Sequence, residues 1–322
     1  MAKKKQNKKK PQGAALPTIL VGLILLGALL ITQDLRGIPL LGEMQGYLYS
    51  ILKPEGRETP GSTVLDNEGL TMQVLDVGQA DSILIYTGDY AMLIDGGNNG
   101  DGEAIADYMQ SLGIESLNWV IATHPHEDHI GGLDVVIDRL HVESIMLPLA
   151  AHTTKTYDDL LDAVERSGAK VVAPAVGDSY NLGAAVFTVL SCEAEDKENL
   201  NESSIVLKLS YGEIDFLLTG DAEVVNEENI LADGYQISAE ILKVGHHGST
   251  TSTSQAFLDA VSPEVAIISL GAGNTYGHPH KETMEKLSAA NIQIYRTDED
   301  NTIIVQTDGK EYHVTTGKKV AD

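Results

Sequence analysis

Four side chains able to hold a metal ion fall within six residues, at His124, His126, Asp128 and His129. They follow the apolar run LNWVIAT, which reads as a buried strand over 117–122. Pro125 argues against a helix here, so a tight loop is expected. In an extended chain alternate side chains share a face, which groups His124, His126 and Asp128 and leaves a turn to redirect His129. Imidazole and carboxylate suit Zn, Mn or Fe, and no thiolate is near. Three of the ten histidines of the chain lie in this loop, which favours a metal centre over a solvated polar loop.

Further reactive groups stand where other strands end. Asp95 closes AMLID, Asp221 closes IDFLLTG, and Asp81 follows LDVGQA. His246 and His247 lie in VGHHGS, directly after a strand. One of them, His247 by preference, is expected to give a proton to a leaving oxygen or to stabilise developing charge. Ser249, with nearby backbone N–H groups, is a candidate grip on phosphate oxygens. His278 lies in GHPH, with Pro279 able to open the next helix. Asp81 has a supporting role or a turn role.

THPHEDHIGG resembles the HxHxDH signature of the metallo-beta-lactamase superfamily. LDVGQADSILI and LKVGHHGSTTSTS are similar to segments of the extracellular metallo-beta-lactamase-like domain of the ComEC/Rec2 competence proteins. The likeness covers about residues 70–310. It implies an α/β fold, the αββα sandwich of two mixed sheets with outer helices, and a site for one or two divalent ions, Zn or Mn. It also implies His124 and His126 on one metal, Asp128 and His129 on the other, Asp221 bridging, and His278 as the last ligand. Asp95 would orient a histidine. Asp128 and His247 are the residues expected to act in catalysis. The family usually supplies a further histidine before the bridging aspartate, but only His141 and His152 lie in that interval and neither suits the position. The competence-like group has an Asn-X-Ser element instead, matched here by Asn201-Glu202-Ser203. Asn201 would ligate weakly or bind substrate. The expected centre is therefore lopsided, with one metal poorly held.

The elements that must position these groups read as follows. Strands are expected at 71–77, 82–87 and 90–95, a helix at 102–112, the strand at 117–122, a helix at 130–140 and a strand at 143–147. A helix at 157–167 and a strand at 170–173 complete the first series. The second has strands at 184–190, 205–211, 214–219, 240–244 and 264–269, helices at 223–232, 254–260 and 281–290, and closing strands at 293–296, 302–307 and 311–315. Hairpins with interspersed helices suggest two mixed sheets back to back.

The amino terminus has a different character. Six lysines fall in the first ten residues, and 14–32 carries no charge. The expected order is a basic cytoplasmic tail at 1–13, a transmembrane helix at 14–33, a linker at 34–68 and the hydrolase domain at 69–317. A cleaved signal peptide shares that layout, but no Ala-X-Ala site follows. The reading places the chain in the cell membrane as a single-pass protein, catalytic domain outside. One apolar span cannot form a pore. The single cysteine, Cys192, excludes an internal disulfide. From Leu35 onward 16 Lys and Arg face 46 Asp and Glu. A body so acidic repels polyanions in general. The expected function is a membrane-anchored, extracellular metal-dependent hydrolase of phosphodiesters, with single-stranded DNA among its substrates. The rivals are a phosphodiesterase of phosphocholine or other headgroups, and a non-catalytic binding module.

Overall fold

The computed structural model describes residues 69–193 and 199–320. The strands are β1 (Leu70–Val74), β2 (Ile83–Thr87), β3 (Tyr90–Ile94), β4 (Ser116–Ile121), β5 (His141–Met146), β6 (Lys170–Val172), β7 (Ser179–Leu182), β8 (Ala185–Ser191), β9 (Val206–Tyr211), β10 (Ile214–Leu218), β11 (Ile241–Lys243), β12 (Val265–Ile268), β13 (Gln293–Arg296), β14 (Ile303–Thr307) and β15 (Tyr312–Thr316). Among the described residues they form an eight-stranded sheet in the order β15-β14-β1-β2-β3-β4-β5-β6 and a seven-stranded sheet in the order β13-β12-β11-β10-β9-β8-β7. Both are mixed. In the first, β1, β2 and β3 pair antiparallel while β3, β4 and β5 pair parallel. In the second, β9 and β10 pair antiparallel while β10, β11 and β12 pair parallel.

Three apolar layers hold this together. Met72, Ile85, Met92, Phe187, Leu207, Phe216 and Ile241 pack between the sheets. The outer face of the first sheet packs Leu84, Leu93 and Val120 against helices α1 (Gly102–Ser111), α3 (Leu133–Arg139) and α4 (Lys155–Ser167). The second sheet packs Leu217, Leu242 and Ala266 against α5 (Val224–Asp233), α6 (Gln255–Val261) and α7 (Lys281–Ala289). Strand pleat explains the division. Ile83 and Ile85 face inward while Leu84 faces the helices, and Ile241 faces inward while Leu242 faces out. By the same alternation Lys243 should share the inward side of Ile241, and it is fully buried.

The expected elements are present with ends shifted by up to three residues, the first strand stopping at Val74 and the helix expected from 130 starting at Leu133. Two differences matter. β7 has no counterpart in the sequence reading, because SYNL carries little apolar pattern. The histidine run is not all loop: a one-turn helix, α2 (Glu127–Ile130), begins just after Pro125-His126. Pro125 stops a helix from starting earlier but leaves the next residues free to turn.

The expected transmembrane helix at 14–33, with its tail and linker, lies outside the described residues. Among the described residues no helix is long and apolar enough to cross a membrane. The fold class is corrected accordingly to the two-sheet sandwich alone. The anchor, the membrane as partner and the single-pass extracellular placement are withdrawn with it.

Candidate metal centre

The loop after β4 is held by a carboxylate from the neighbouring strand. Asp95 follows β3, and its backbone N–H donates to Ile121 O (2.9 Å). Thr123 donates twice to Asp95, from its backbone N–H to Oδ1 (2.8 Å) and from its hydroxyl to Oδ2 (2.7 Å). The same Oδ2 lies 2.7 Å from His129 Nδ1. That contact orients the ring and turns Nε2 away from the strand. His126 takes the capping position of α2, so His129 leaves the helix turn toward His124, their rings 4.1 Å apart. Backbone meets backbone behind this turn: a Cβ on Gly132 would lie 2.4 Å from Gly96 O. Only glycine allows that approach.

The second sheet supplies the facing groups. Asp221 follows β10, its backbone N–H donating to Ser204 Oγ (3.2 Å). Its Oδ1 lies 3.3 Å from His129 Nε2. Its Oδ2 lies 3.9 Å from His124 Nε2, 3.7 Å from His247 Nε2 and 3.8 Å from His246 Nε2. His124 Nε2 and His126 Nδ1 are 3.0 Å apart. His247 Nε2 lies 3.4 Å from Asp128 Oδ2. Of three sets of converging donor atoms among the described residues, two share this space, His124, His129 and Asp221, and Asp128, His129 and His247; the third, Asp81, Asp95 and His129, lies behind it. His129 Nε2, His247 Nε2 and Asp221 Oδ1 are buried and lack hydrogen-bond partners. Buried polar atoms are rarely left so. Atoms of this kind turned on one point fit a bound cation, and the cluster suits one or two divalent ions.

The electrostatics agree. Burial opposes charge on His129, yet Asp221 and Asp95 raise its pKa well above the ordinary imidazole value. His247 is raised in the same way, against burial, by Asp221 and the neighbouring Asp128. Burial also opposes ionisation of Asp128, but His247 beside it and the charge of His129 hold its carboxyl below the usual range. Asp221 is likewise held well below it, despite burial, by His129 and His247. His124 and His126 are pushed down, chiefly by burial. The carboxylates thus call for positive charge in the centre, and protons on two histidines answer that need when no metal does.

Residues 75–272 match the family model described as the metallo-beta-lactamase superfamily. The chain belongs to that superfamily. Among curated relatives, it is 32% identical over 257 residues to ComE operon protein 3 of Bacillus subtilis, covering 74% of this chain and 33% of that protein. It is 31% identical over 238 residues to Recombination protein 2 of Haemophilus influenzae, covering 72% of this chain and 28% of that one. The chain therefore spans about a third of the length of these relatives. Among solved structures, the metallo-beta-lactamase fold protein YhfI of Bacillus subtilis aligns with TM-score 0.50 at 14% identity, over 74% of this chain and 100% of that one. CmlA, a diiron beta-hydroxylase from Streptomyces venezuelae, aligns with TM-score 0.52 at 14% identity, over 78% and 55%. These two show the fold alone. Within the superfamily, this is a metal-binding protein consistent with a metal-dependent hydrolase.

Other superfamily positions are placed as follows. His124, His126, Asp128, His129 and Asp221 meet in one cluster, with Asp95 behind it. His247 sits inside that cluster, fixed by Nδ1 at 2.8 Å from Ser269 O. His278 stands one layer farther out, its ring 6.2 Å from that of His247, and belongs to none of the sets of converging donors. Its pKa is lowered to about 4, by burial and then by His246, His247 and His280. Asn201, from the Asn-X-Ser element, lies beside His246. Its Nδ2 faces the ring of His246 and donates to Glu223 (3.2 Å), and its Oδ1 is buried without a partner. Ser249 does not line the pocket; its hydroxyl bonds that of Thr251 (3.1 Å). Asp81 is buried, paired with Lys243 Nζ at 2.8 Å and 3.5 Å from His247 Nδ1. Lys243 was not singled out from the sequence. Its signal was there: one lysine inside the apolar strand EILKV.

Proposed function

We propose that this chain is a metal-dependent phosphodiesterase acting on nucleic acid. The supporting observation is Asp221, whose two oxygens face histidines from both donor sets. His124 and His126 would hold one ion, Asp128, His129 and His247 the other, and Asp221 would serve both. In this reading His247 takes the ligand position the resemblance gave to His278. When bound, Zn or Mn supplies Lewis-acid polarisation and lowers the pKa of water.

The chain's own groups do the rest. The centre opens into a pocket of about 490 Å³ lined by Asp128, Asn201, Asp221, His246, His247 and His278. His247 Nδ1 is held by Ser269 O and its Nε2 is turned into the donor cluster, so the proton donor for a leaving oxygen is assigned to His246. It is partly exposed, with Nδ1 3.0 Å from Thr251 Oγ1 and 3.3 Å from Glu223. His278 stays neutral near pH 7 and offers hydrogen bonds rather than charge. The names of the curated relatives, a competence operon protein and a recombination protein, favour nucleic acid as substrate. With a net charge of -25, attraction for the phosphates would come from the bound ions.

The test uses the whole chain, stripped with a chelator and reloaded with Zn or Mn. A single-stranded oligonucleotide and bis(p-nitrophenyl) phosphate should be cleaved only after reloading, and Asp221→Asn should abolish cleavage. Firm metal binding with no cleavage of either would overturn the proposal. Turnover of a phosphocholine ester alone would move the protein to headgroup chemistry.

A further inference from the structure

Tyr276 is 66% exposed, more than any other large apolar side chain that stands out among the described residues. It lines the rim of the same pocket as Asp128 and His247. One face of its ring is covered by His278, at 5.6 Å between centroids and 22° between planes. His278 in turn lies near parallel to His247, at 27°. The rings form a row from the rim to the floor of the pocket. The loop that carries them is pinned. Asn274 donates to Gly271 O (3.0 Å) and His278 O (2.7 Å), and accepts from the His278 N–H (3.0 Å). Gly271 N–H donates to Gln79 Oε1 (3.1 Å), tying the loop to the segment after β1.

An exposed aromatic ring offers a large flat apolar face on which another ring can stack. Here one face is supported and the other is open, beside a centre suited to a phosphodiester. The protein is too acidic for a basic groove to do the holding. Stacking needs no charge and tolerates any base.

We infer that Tyr276, backed by His278, is a stacking platform for one unpaired base next to the phosphodiester held in the pocket. The inference rests on the phosphodiesterase reading. Bases in a duplex have both faces covered, so the platform selects single strands or ends.

The test compares two oligonucleotides of equal length, one with bases and one with abasic sugars, on the full chain loaded with Mn. Tyr276→Ala should raise KM for the base-bearing strand about fivefold or more while kcat changes much less. Tyr276→Phe should restore the KM. KM for the abasic strand should not respond to either change. A readout ahead of turnover is Tyr276→Trp in Mn-loaded protein mixed by stopped flow, whose emission above the Trp119 background should fall on binding of the base-bearing strand and not of the abasic one. An unchanged KM in Tyr276→Ala, or an equal rise on both strands, would overturn the platform and leave the phosphodiesterase standing. Failure of the unaltered protein to cleave either strand, with turnover of a phosphocholine ester, would remove both readings.

Discussion

At the scale of single residues, Lys243 and Asp81 carry the sharpest consequence. Both are fully buried, and their contact of 2.8 Å neutralises each. Breaking a buried pair from one side strands the other charge, which costs about 3–5 kcal/mol. Lys243→Met should therefore lower unfolding stability by about that amount. Lys243→Met combined with Asp81→Leu should recover part of it, and denaturant titration of the three proteins checks this. Asp95 makes a different prediction. Its oxygen orients His129 from behind, so Asp95→Asn should weaken metal affinity by about 10- to 100-fold while the fold persists. Competition with a chromophoric chelator would measure it. The histidine run was legible in the sequence because ligand-rich residues crowd a strand end. Lys243 was not, since a lysine in a strand is ordinarily read as solvated.

At the scale of elements, the turn after β11 decides which histidine reaches the centre. His246 and His247 both have left-handed backbones, with φ of 48° and 52°. Residues with a side chain rarely hold that conformation, and two in succession store strain. The result is that consecutive imidazoles both face the pocket. Sequence periodicity contains no trace of this. VGHHGS directly follows β11 and places His247 among the donors, while GHPH lies well past the end of β12 and places His278 a layer out. Gly248 completes the turn at φ 83°, and a Cβ there would lie 2.7 Å from Pro279 Cβ. Gly248→Ala should thus cost about 1–2 kcal/mol from the backbone alone. It should also loosen metal binding by shifting His247. Thermal unfolding and metal titration of the same variant test the two effects separately. The positions of strands and helices, by contrast, were readable almost throughout, because each sheet has helices outside it and a second sheet inside. That arrangement buries both faces of the central strands, so they read as continuous apolar runs such as YAMLI and VAII.

At the scale of the whole molecule, the centre links stability to pH. His129 and His247 have folded-state pKa values raised above the unfolded value. Such groups add stability that is full below about pH 6.5 and is lost as pH rises through the folded values. His124 and His126 are shifted down, so they remove stability as pH falls below about 6.5. Asp128 and Asp221, held low, give stability present above about pH 4 and lost as pH falls through the folded values. Metal-free protein should accordingly be most stable near about pH 6.5 and weaken on both sides. With Zn or Mn the alkaline decline should vanish, because deprotonated ligands bind metal better. Calorimetry over about pH 5 to 9 with chelator and with metal distinguishes the cases, and parallel curves would refute the link.

The two sheets contribute jointly to the centre, with His124 and His129 from one and Asp221 and His247 from the other. Ile205 N–H donates across the same seam to Thr123 O at 2.9 Å. A bound ion would thereby act as a rivet through a laminate. Removing it should speed amide hydrogen exchange first at Ile205 and Asp221, along the seam's open end, while Phe216 and Met92 deep in the layers keep their slow rates.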